Sequence, residues 1–150
     1  MERTFAALKP DAIKRGLMGK ILSRFEDKGY KIIAMKLINV SKDLASKHYA
    51  EHVGKPFYDS LIEYITSGPV LAMILEGENA ILGVRHIVGK TNPDDADVGS
   101  IRADFCTVKE YNAVHASDCI ESAKREMELW FSPDEICDNY KTMSEIVMGV

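Results

Sequence analysis

Hydrophobic positions along this chain switch between the two-residue period of a strand and the longer period of a helix. Arg3 to Leu8 predicts a first strand, which Pro10 ends, and Tyr30 to Val40 predicts a second, largely apolar strand. Four apolar residues between them share one face of a predicted helix: Leu17, Ile21, Leu22 and Phe25. Gly29 follows directly and indicates where that helix ends. The pattern therefore begins with a β-α-β unit.

A pair of short helices is predicted next. Ser41 can cap the first of them, which holds Leu44, His48 and His52. Phe57 to Ile65 predicts the second. Since both follow the second strand and precede another apolar run, they predict a helical pair inserted between two strands.

The second half of the chain predicts two more strands. Val70 to Leu75 predicts the third, and Ala113 to His115 predicts a short fourth. Between them, Asn79 can cap a helix that ends at Gly89. The apolar face of this helix carries Ile81, Val84 and Val88. Lys90 to Ser100 has the composition of a loop, and loops of this length are often functional.

A last helix is predicted after the fourth strand. Asp118 and Glu121 have the spacing of a capping box at its start. Its inward positions are predicted to be Ile120, Ala123, Met127 and Trp130. The order β-α-β-(αα)-β-α-β-α predicts an α/β (α+β) fold, a ferredoxin-like β-α-β-β-α-β antiparallel sheet covered by helices, with the inserted helical pair. Residues 1–150 are expected to form a single domain.

Composition excludes several classes of protein. The hydrophobic fraction of 46% suits a folded globular chain, and the net charge of −4 provides no global field to attract nucleic acid. The apolar run Val70 to Leu75 is far shorter than the roughly 20 residues that a membrane span needs. Three cysteines form no C-x-x-C pair: Cys106, Cys119 and Cys137. We therefore expect reduced thiols, no zinc site built on them, no membrane association and a cytoplasmic location.

His115 is the most informative candidate for chemistry. It lies between a short apolar strand and a helix start, within Asn112-Ala113-Val114-His115-Ala116-Ser117-Asp118. Free imidazole has a pKa of about 6.5, so at neutral pH it can attack phosphorus without a separate base. A following helix start favours the negative charge of a phosphoryl group, and Glu126 lies two turns into that helix. A buried histidine bonded to a backbone carbonyl remains the alternative interpretation.

The common phosphate-binding loops are absent. The chain has neither G-x-x-x-x-G-K-[ST] nor G-x-G-x-x-G before a helix, so side chains would have to hold any nucleotide. The candidate cations and neutral donors stand at element ends and in loops: Lys9, Arg85, Thr91, Arg102 and Asn112. Each one alone is also explained as a solvated surface residue. Only their convergence would indicate a phosphate site, and spacing does not establish convergence.

A rival motif lies in the helical insertion. His48-Tyr49-Ala50-Glu51-His52 matches the zinc-protease pattern H-x-x-E-H, with both imidazoles predicted on one helical face. Three fixed positions arise easily by chance, and no third ligand stands out. A structural or solvent-exposed pair of histidines is the favoured interpretation. His86 carries no motif and is expected on the surface.

The chain resembles nucleoside diphosphate kinases along essentially its whole length. Ordered segments carry the resemblance: Arg3-Thr4-Phe5 with Lys9-Pro10-Asp11, Arg15-Gly16-Leu17, His48-Tyr49-Ala50-Glu51-His52 with Gly54-Lys55-Pro56-Phe57, Ser67-Gly68-Pro69-Val70, Glu76-Gly77-Glu78-Asn79-Ala80, Thr91-Asn92-Pro93, Ile101-Arg102 with Asp104-Phe105, and Asn112-Ala113-Val114-His115. The zinc-protease pattern belongs to this signature. So many matches in order are far more specific than any single short motif.

The resemblance implies a two-step exchange of a phosphoryl group. His115 takes the γ-phosphoryl of a nucleoside triphosphate, typically ATP, and gives it to a nucleoside diphosphate, with a role in CTP, GTP and UTP synthesis. Glu126 orients His115, and Phe57 packs on the base. Six residues hold phosphates, sugar or the surroundings of the histidine: Lys9, Tyr49, Arg85, Thr91, Arg102 and Asn112. Mg²⁺ is expected on the nucleotide phosphates rather than on protein ligands.

The resemblance also implies broad base specificity and a homo-oligomer. Twenty residues follow Trp130, as in the longer tails of hexameric members, so a hexamer is favoured over a tetramer. The expected partners are nucleoside di- and triphosphates, without nucleic acid or membrane.

This chain departs from the family pattern at a few positions. Ala116 and Cys119 replace a usual glycine and serine, and Glu110-Tyr111 replaces Gly-Arg. We expect a negative φ at Ala116, because an alanine with positive φ would be strained. Lys109 stands where an apolar residue usually closes the base site, although its methylene stem can still cover a ring. Val98 replaces a proline in the loop that helps pack family subunits, so a weaker oligomer is expected.

Overall fold

Four antiparallel strands form one sheet at the centre of the computed structural model, which describes residues 1–150. They are β1 (Glu2–Leu8), β2 (Lys31–Asn39), β3 (Pro69–Gly77) and β4 (Val114–Ala116). Their order across the sheet is β2-β3-β1-β4, and every neighbouring pair is antiparallel. The structure therefore confirms the predicted ferredoxin-like arrangement, with β1 and β3 in the middle of the sheet.

Eight α-helices surround this sheet. They are α1 (Pro10–Lys14), α2 (Met18–Lys28), α3 (Lys42–His48), α4 (Tyr58–Ile65), α5 (Ala80–Val88), α6 (Ile101–Phe105), α7 (Ile120–Trp130) and α8 (Met143–Met148). Helices α3 and α4 are the insertion predicted between β2 and β3, and Ser41 caps α3 by accepting the N–H of Leu44. The sequence pattern did not predict the three short helices α1, α6 and α8. No helix is both long and apolar enough to cross a membrane.

The hydrophobic core lies on both faces of the sheet. Successive residues of β1 alternate between the faces, as the two-residue period of a strand requires: Phe5 and Ala7 face one cluster, Ala6 and Leu8 the other. The first cluster includes Trp130 of α7 and residues of the helical insertion. The second includes Phe25 of α2 and Val84 of α5. The strand that leads to Lys9 is thus fixed from both sides.

Glycines end α2 and α5 where the sequence predicts, and Asn79 is the N-cap residue of α5, but the capping bonds predicted at the starts of α5 and α7 are absent. Gly29 follows α2 with a φ of 98°. Asn79 has a φ of 47° and no capping bond, and the N–H of Ile81 donates instead to the Glu2 carboxylate at 2.8 Å. At α7 the N-cap is Cys119, whose sulfur accepts the N–H of Ser122, rather than a box of Asp118 and Glu121.

One predicted core position of α7 is also wrong. Ile120 is 68% exposed, while Ala123 and Trp130 are buried. The inward face of α7 carries Glu126 as well, and this carboxylate is nearly inaccessible to solvent. Hydrophobic periodicity misses Glu126, because it assigns a charged residue to the solvent face.

Candidate active site

His115 stands in the middle of β4, opposite Ala7 of β1, with a quarter of its side chain exposed. Its Nε2 lies 2.9 and 3.1 Å from the two carboxylate oxygens of Glu126. An ionised carboxylate only accepts hydrogen bonds, so the ring carries its proton on Nε2 and donates it. The lone pair of the neutral ring is then on Nδ1. This is the tautomer that a nucleophilic Nδ1 requires.

Glu126 is held by more than the histidine. The Ser117 hydroxyl donates to its Oε1 at 2.6 Å, and the Ser117 N–H donates to the Phe5 carbonyl. Burial alone would raise the pKa of Glu126, but the hydrogen bonds and charge of its neighbours, His115 first among them, outweigh burial and lower that pKa. Glu126 is therefore ionised at neutral pH, and Ser117 is a contributor that the sequence pattern did not single out.

Lys9 and Asn112 meet beside this strand. The Lys9 ammonium donates to Asn112 Oδ1 at 2.8 Å, and Asn112 Nδ2 donates to the Thr91 carbonyl at 3.0 Å. Burial, and then repulsion from Arg102, lower the pKa of Lys9 to about 8. The side chain of Thr91 is exposed, so its contact with the cluster is through its backbone.

Arg102 donates more hydrogen bonds to the protein than the other cations of this cluster. Its guanidinium donates to three backbone carbonyls, those of Gly89, Asn112 and Val114. Burial lowers the pKa of Arg102 to about 10, which leaves it charged at neutral pH. Arg85 donates to a further carbonyl of β4, that of Ala116, at 3.2 Å. The structure thus brings together the cations whose convergence spacing could not establish.

The strained backbone of the site is at Ala113. The predicted negative φ of Ala116 is confirmed, whereas Ala113 has a φ of 69° although it carries a Cβ. Its N–H donates to the Asp11 carboxylate at 3.1 Å, and its carbonyl accepts the Lys9 N–H at 2.8 Å. A left-handed alanine costs about 1–2 kcal/mol, which these bonds offset. Asp11 thereby fixes the turn that precedes His115.

Tyr49 and Phe57 lie on the helical insertion, in the segment between α3 and α4. Tyr49 is buried, and burial followed by the nearby Glu126 charge raises its pKa to about 12. Phe57 is 47% exposed, with the His52 ring 5.5 Å away. The Lys55 ammonium lies 3.0 Å from His52 Nδ1 and 5.8 Å from the centre of the Phe57 ring. An exposed aromatic ring with polar neighbours provides a surface on which a flat ligand can stack.

The H-x-x-E-H histidines do not share a helical face, so this prediction is wrong. Helix α3 ends at His48, and His52 lies in the separate 3-10 turn Ala50–His52. The Nδ1 atom of His48 accepts the indole N–H of Trp130 at 3.1 Å. His52 instead contacts Lys55 and Phe57 on the surface. His86 is exposed, as predicted.

His48, His115 and Glu126 place one donor atom each within 4.8 Å of one another. Such donors suit zinc, but a metal needs their lone pairs. Nδ1 of His48 is occupied by the Trp130 N–H, and Nε2 of His115 carries the proton shared with Glu126. The hydrogen bonds of this cluster fit an oriented nucleophile better than a zinc-protease centre.

A neutral imidazole oriented by a carboxylate, with lysine and arginine beside it, is typical of a phosphotransferase. Comparison with known proteins identifies the family. The family described as nucleoside diphosphate kinase matches residues 2–136. The chain belongs to this family, and its activity is phosphoryl transfer between nucleotides.

Relatives and solved structures agree with this assignment. Nucleoside diphosphate kinase of Methanobrevibacter smithii is 56% identical over 92% of both chains, and that of Listeria monocytogenes serotype 4a is 52% identical over 95% of this chain and 97% of its own. A crystal structure of a family protein from Babesia bovis has a TM-score of 0.94 and 45% identity, covering 98% of this chain and 99% of that one. The halophilic enzyme of Halobacterium salinarum, in complex with CDP, has a TM-score of 0.92 and 43% identity, covering 97% of each.

Proposed function

We propose that the chain transfers the γ-phosphoryl group of a nucleoside triphosphate to a nucleoside diphosphate through a phosphohistidine at Nδ1 of His115. The observation that carries this proposal is the contact of Nε2 with both oxygens of Glu126, at 2.9 and 3.1 Å. It fixes the proton on Nε2 and leaves the nucleophilic pair on Nδ1. No general base is needed, because the attacking nitrogen is already unprotonated.

In the first step, the Nδ1 lone pair forms a bond to the γ-phosphorus. The bond from that phosphorus to the bridging oxygen breaks, and its electron pair leaves on the β-phosphate of the diphosphate product. The imidazole keeps its Nε2 proton and gains positive charge, which the ionised Glu126 stabilises. In the second step, a terminal oxygen of the acceptor diphosphate attacks the phosphorus, and the pair of the P–N bond returns to Nδ1.

The cations act by position and charge. Lys9, Arg85 and Arg102 neutralise the charge that spreads over the phosphoryl oxygens during transfer, while Asn112 fixes Lys9. Because these groups are held before any nucleotide binds, little reorganisation is needed when the charge develops. Thr91 is the remaining predicted phosphate contact, and its exposed hydroxyl suits a neutral donor.

Mg²⁺ arrives on the nucleotide phosphates in this proposal. The groups near His115 are mainly cations and neutral donors, which suit phosphate oxygens. The nearest buried carboxylates, Asp11 and Glu126, are already engaged by hydrogen bonds within the protein. The ion would supply additional neutralisation of phosphate charge.

Phe57 is the proposed platform for the base, and Tyr49 lines the path towards the phosphates. A base held by stacking on an exposed ring is discriminated weakly, so broad specificity follows and the enzyme would serve CTP, GTP and UTP synthesis.

We also propose a cytoplasmic homo-oligomer, and we favour a hexamer over a tetramer. The edge strand β2 leaves Met35 and Leu37 about half exposed, which supports subunit contacts. Analytical ultracentrifugation measures the mass directly, and a monomeric protein would contradict this part.

The decisive experiment is labelling with γ-³²P-ATP in the absence of an acceptor. We expect an acid-labile, base-stable phosphoenzyme that His115→Ala abolishes. His86→Ala, which removes an exposed histidine of α5, is the matched control and should label normally. Label that persists in His115→Ala would defeat the proposal, and an unlabelled native protein would indicate a binding protein without turnover. Release of the label by GDP, CDP and UDP tests the broad specificity.

A further inference from the structure

His48 is a buried titratable residue to which the mechanism above gives no role. It ends α3 and is 5% exposed. Its Nδ1 lies 3.1 Å from the indole nitrogen of Trp130, which is equally buried at the end of α7. An indole N–H can only donate, so Nδ1 of His48 must be an unprotonated acceptor, and the neutral ring carries its proton on Nε2.

The same nitrogen of His48 faces Glu126. Nδ1 lies 4.0 Å from Glu126 Oε2, and the His48 ring packs edge-on against His115 with centroids 4.7 Å apart. Glu126 is therefore within reach of two imidazoles. A small rotation would let a proton on Nδ1 of His48 bind the carboxylate that orients His115. The chain must prevent this competition if Glu126 is to serve the nucleophile alone.

We propose that Trp130 and His48 are positioning residues. The indole N–H of Trp130 donates to Nδ1 of His48, and because this nitrogen is occupied, Glu126 bonds His115 alone. This inference rests on the proposed role of His115 and Glu126. Neither residue touches substrate in it. Trp130 acts through His48, and His48 acts through Glu126.

The charges around His48 support the arrangement. The groups that face it are His115 on β4, Glu126 and Arg125 on α7, and Lys9 after β1, besides Tyr49 on its own segment. Burial first, and then His115, lower the pKa of His48 to about 3, although Glu126 acts in the opposite direction. The Trp130 N–H adds to this effect, because it bonds only the unprotonated nitrogen.

Trp130→Phe tests the proposal, because it keeps an aromatic ring and removes the N–H. Without the indole donor, Glu126 is the remaining polar partner of Nδ1, and it favours a proton on that nitrogen. The neutral His48 ring should then move its proton from Nε2 to Nδ1 and take Glu126 from His115. We expect nitrogen-15 NMR of Trp130→Phe at neutral pH to find the His48 proton on Nδ1, and single-turnover phosphorylation by ATP to slow about tenfold.

Three variants separate this effect from loss of packing. His48→Gln has no imidazole to compete for Glu126, so Trp130→Phe should slow the reaction no further when it is added to His48→Gln. Phe131→Leu disturbs the same core at a ring that packs on Phe5, and it should leave the His48 proton on Nε2 and the rate near native. A His48 proton that stays on Nε2 in Trp130→Phe, or an equal loss of rate in both backgrounds, would overturn the proposal.

A measurement on the unaltered protein provides an independent test. Nitrogen-15 NMR of the imidazoles should find His48 protonated only on Nε2 between about pH 5 and pH 8, the range in which ordinary histidines titrate. Finding the proton on Nδ1 would refute the proposal even if every variant unfolded. Failure of the proposed function has a different signature, since native protein would then form no phosphohistidine while the tautomer of His48 could still be as expected.

Discussion

The phosphate end of the proposed nucleotide site, around His115, and its base end, around Phe57, differ in how firmly their side chains are held. At the phosphate end, Arg102 bonds three backbone carbonyls and Lys9 is fixed by Asn112. At the base end, Phe57 is half exposed, and its polar neighbours His52 and Lys55 contact each other and that ring at the surface. One end is tied into the fold, while the other lies on a helical insertion at its surface.

This difference matches what each end must do. Phosphoryl transfer depends on reacting groups held within a fraction of an ångström, and preformed hydrogen bonds provide that accuracy. Accepting many bases requires few directional contacts, which a stacking surface supplies. Substitutions at the phosphate end should therefore affect rate and stability together, whereas those at the base end should affect binding alone.

Glu126→Gln should give the largest effect on rate. A glutamine amide can donate to Nε2, which would place the ring proton on Nδ1 and block the nucleophilic pair. We expect phosphoenzyme formation to slow by about 10²-fold or more in rapid-quench experiments. Glu128→Gln, on the exposed side of the same helix, is the control and should change the rate little. A Glu126→Gln enzyme within a few-fold of the native rate would contradict the claim that the phosphate end controls the rate through preformed hydrogen bonds.

Arg102→Lys should give the largest effect on stability. Lysine keeps the charge but cannot reach three carbonyls, and each buried acceptor left unbonded costs about 1–3 kcal/mol. We expect urea unfolding to report a loss of at least about 2 kcal/mol, together with reduced activity. Arg125→Lys, at an exposed arginine that donates to the Lys47 carbonyl, provides the reference. Equal losses in the two variants would contradict the account.

The activity should also depend on pH through Lys9 at the phosphate end. The pKa of Lys9 is lowered to about 8, chiefly by burial, so the free enzyme loses this positive charge as pH rises through that value. We expect kcat/KM to fall above pH 8, by up to about tenfold for each further pH unit. Bound phosphate stabilises the ammonium, so kcat should fall only at higher pH. In Lys9→Met the alkaline limb should vanish; its persistence would assign the limb to another group.

Phe57→Leu should give the smallest effect. The ring is half exposed, so the free energy of unfolding should change by less than about 0.5 kcal/mol. Losing the stacking surface should raise KM for nucleoside diphosphates a few-fold while kcat stays close to native. Steady-state kinetics and urea unfolding together check this pair of outcomes. A large fall in kcat would show that the two ends are not independent.

Local signals made most of the fold predictable. Apolar periodicity found all four strands, and the end of α2 follows from Gly29, because its left-handed conformation is a property of the residue itself. The cap of α5 could not be predicted in this way. Asn79 is a good capping residue, but the bond is made by the carboxylate of Glu2, at the start of β1, which accepts the N–H of Ile81.

For the site, the sequence likewise predicts the residues but not the contacts between them. His115 and the cations are recognised by residue type, and the family resemblance assigns them to one site. Their bonds do not follow from spacing: Lys9 and Asn112 are 103 positions apart, and His48 and Trp130 are 82 apart. The helical prediction for His52 is wrong because the chain turns into a 3-10 segment after α3 and sends this ring towards Phe57.

The strand of His115 also has a consequence for refolding kinetics. β4 is three residues long, pairs only with β1, and meets it more than a hundred positions later in the chain. Closing so long a loop for so few bonds, next to the left-handed Ala113, is unfavourable until β1 and β3 have paired. The nucleophile should therefore join the sheet late in folding. Ligands that bind there should slow unfolding while leaving the folding rate almost unchanged.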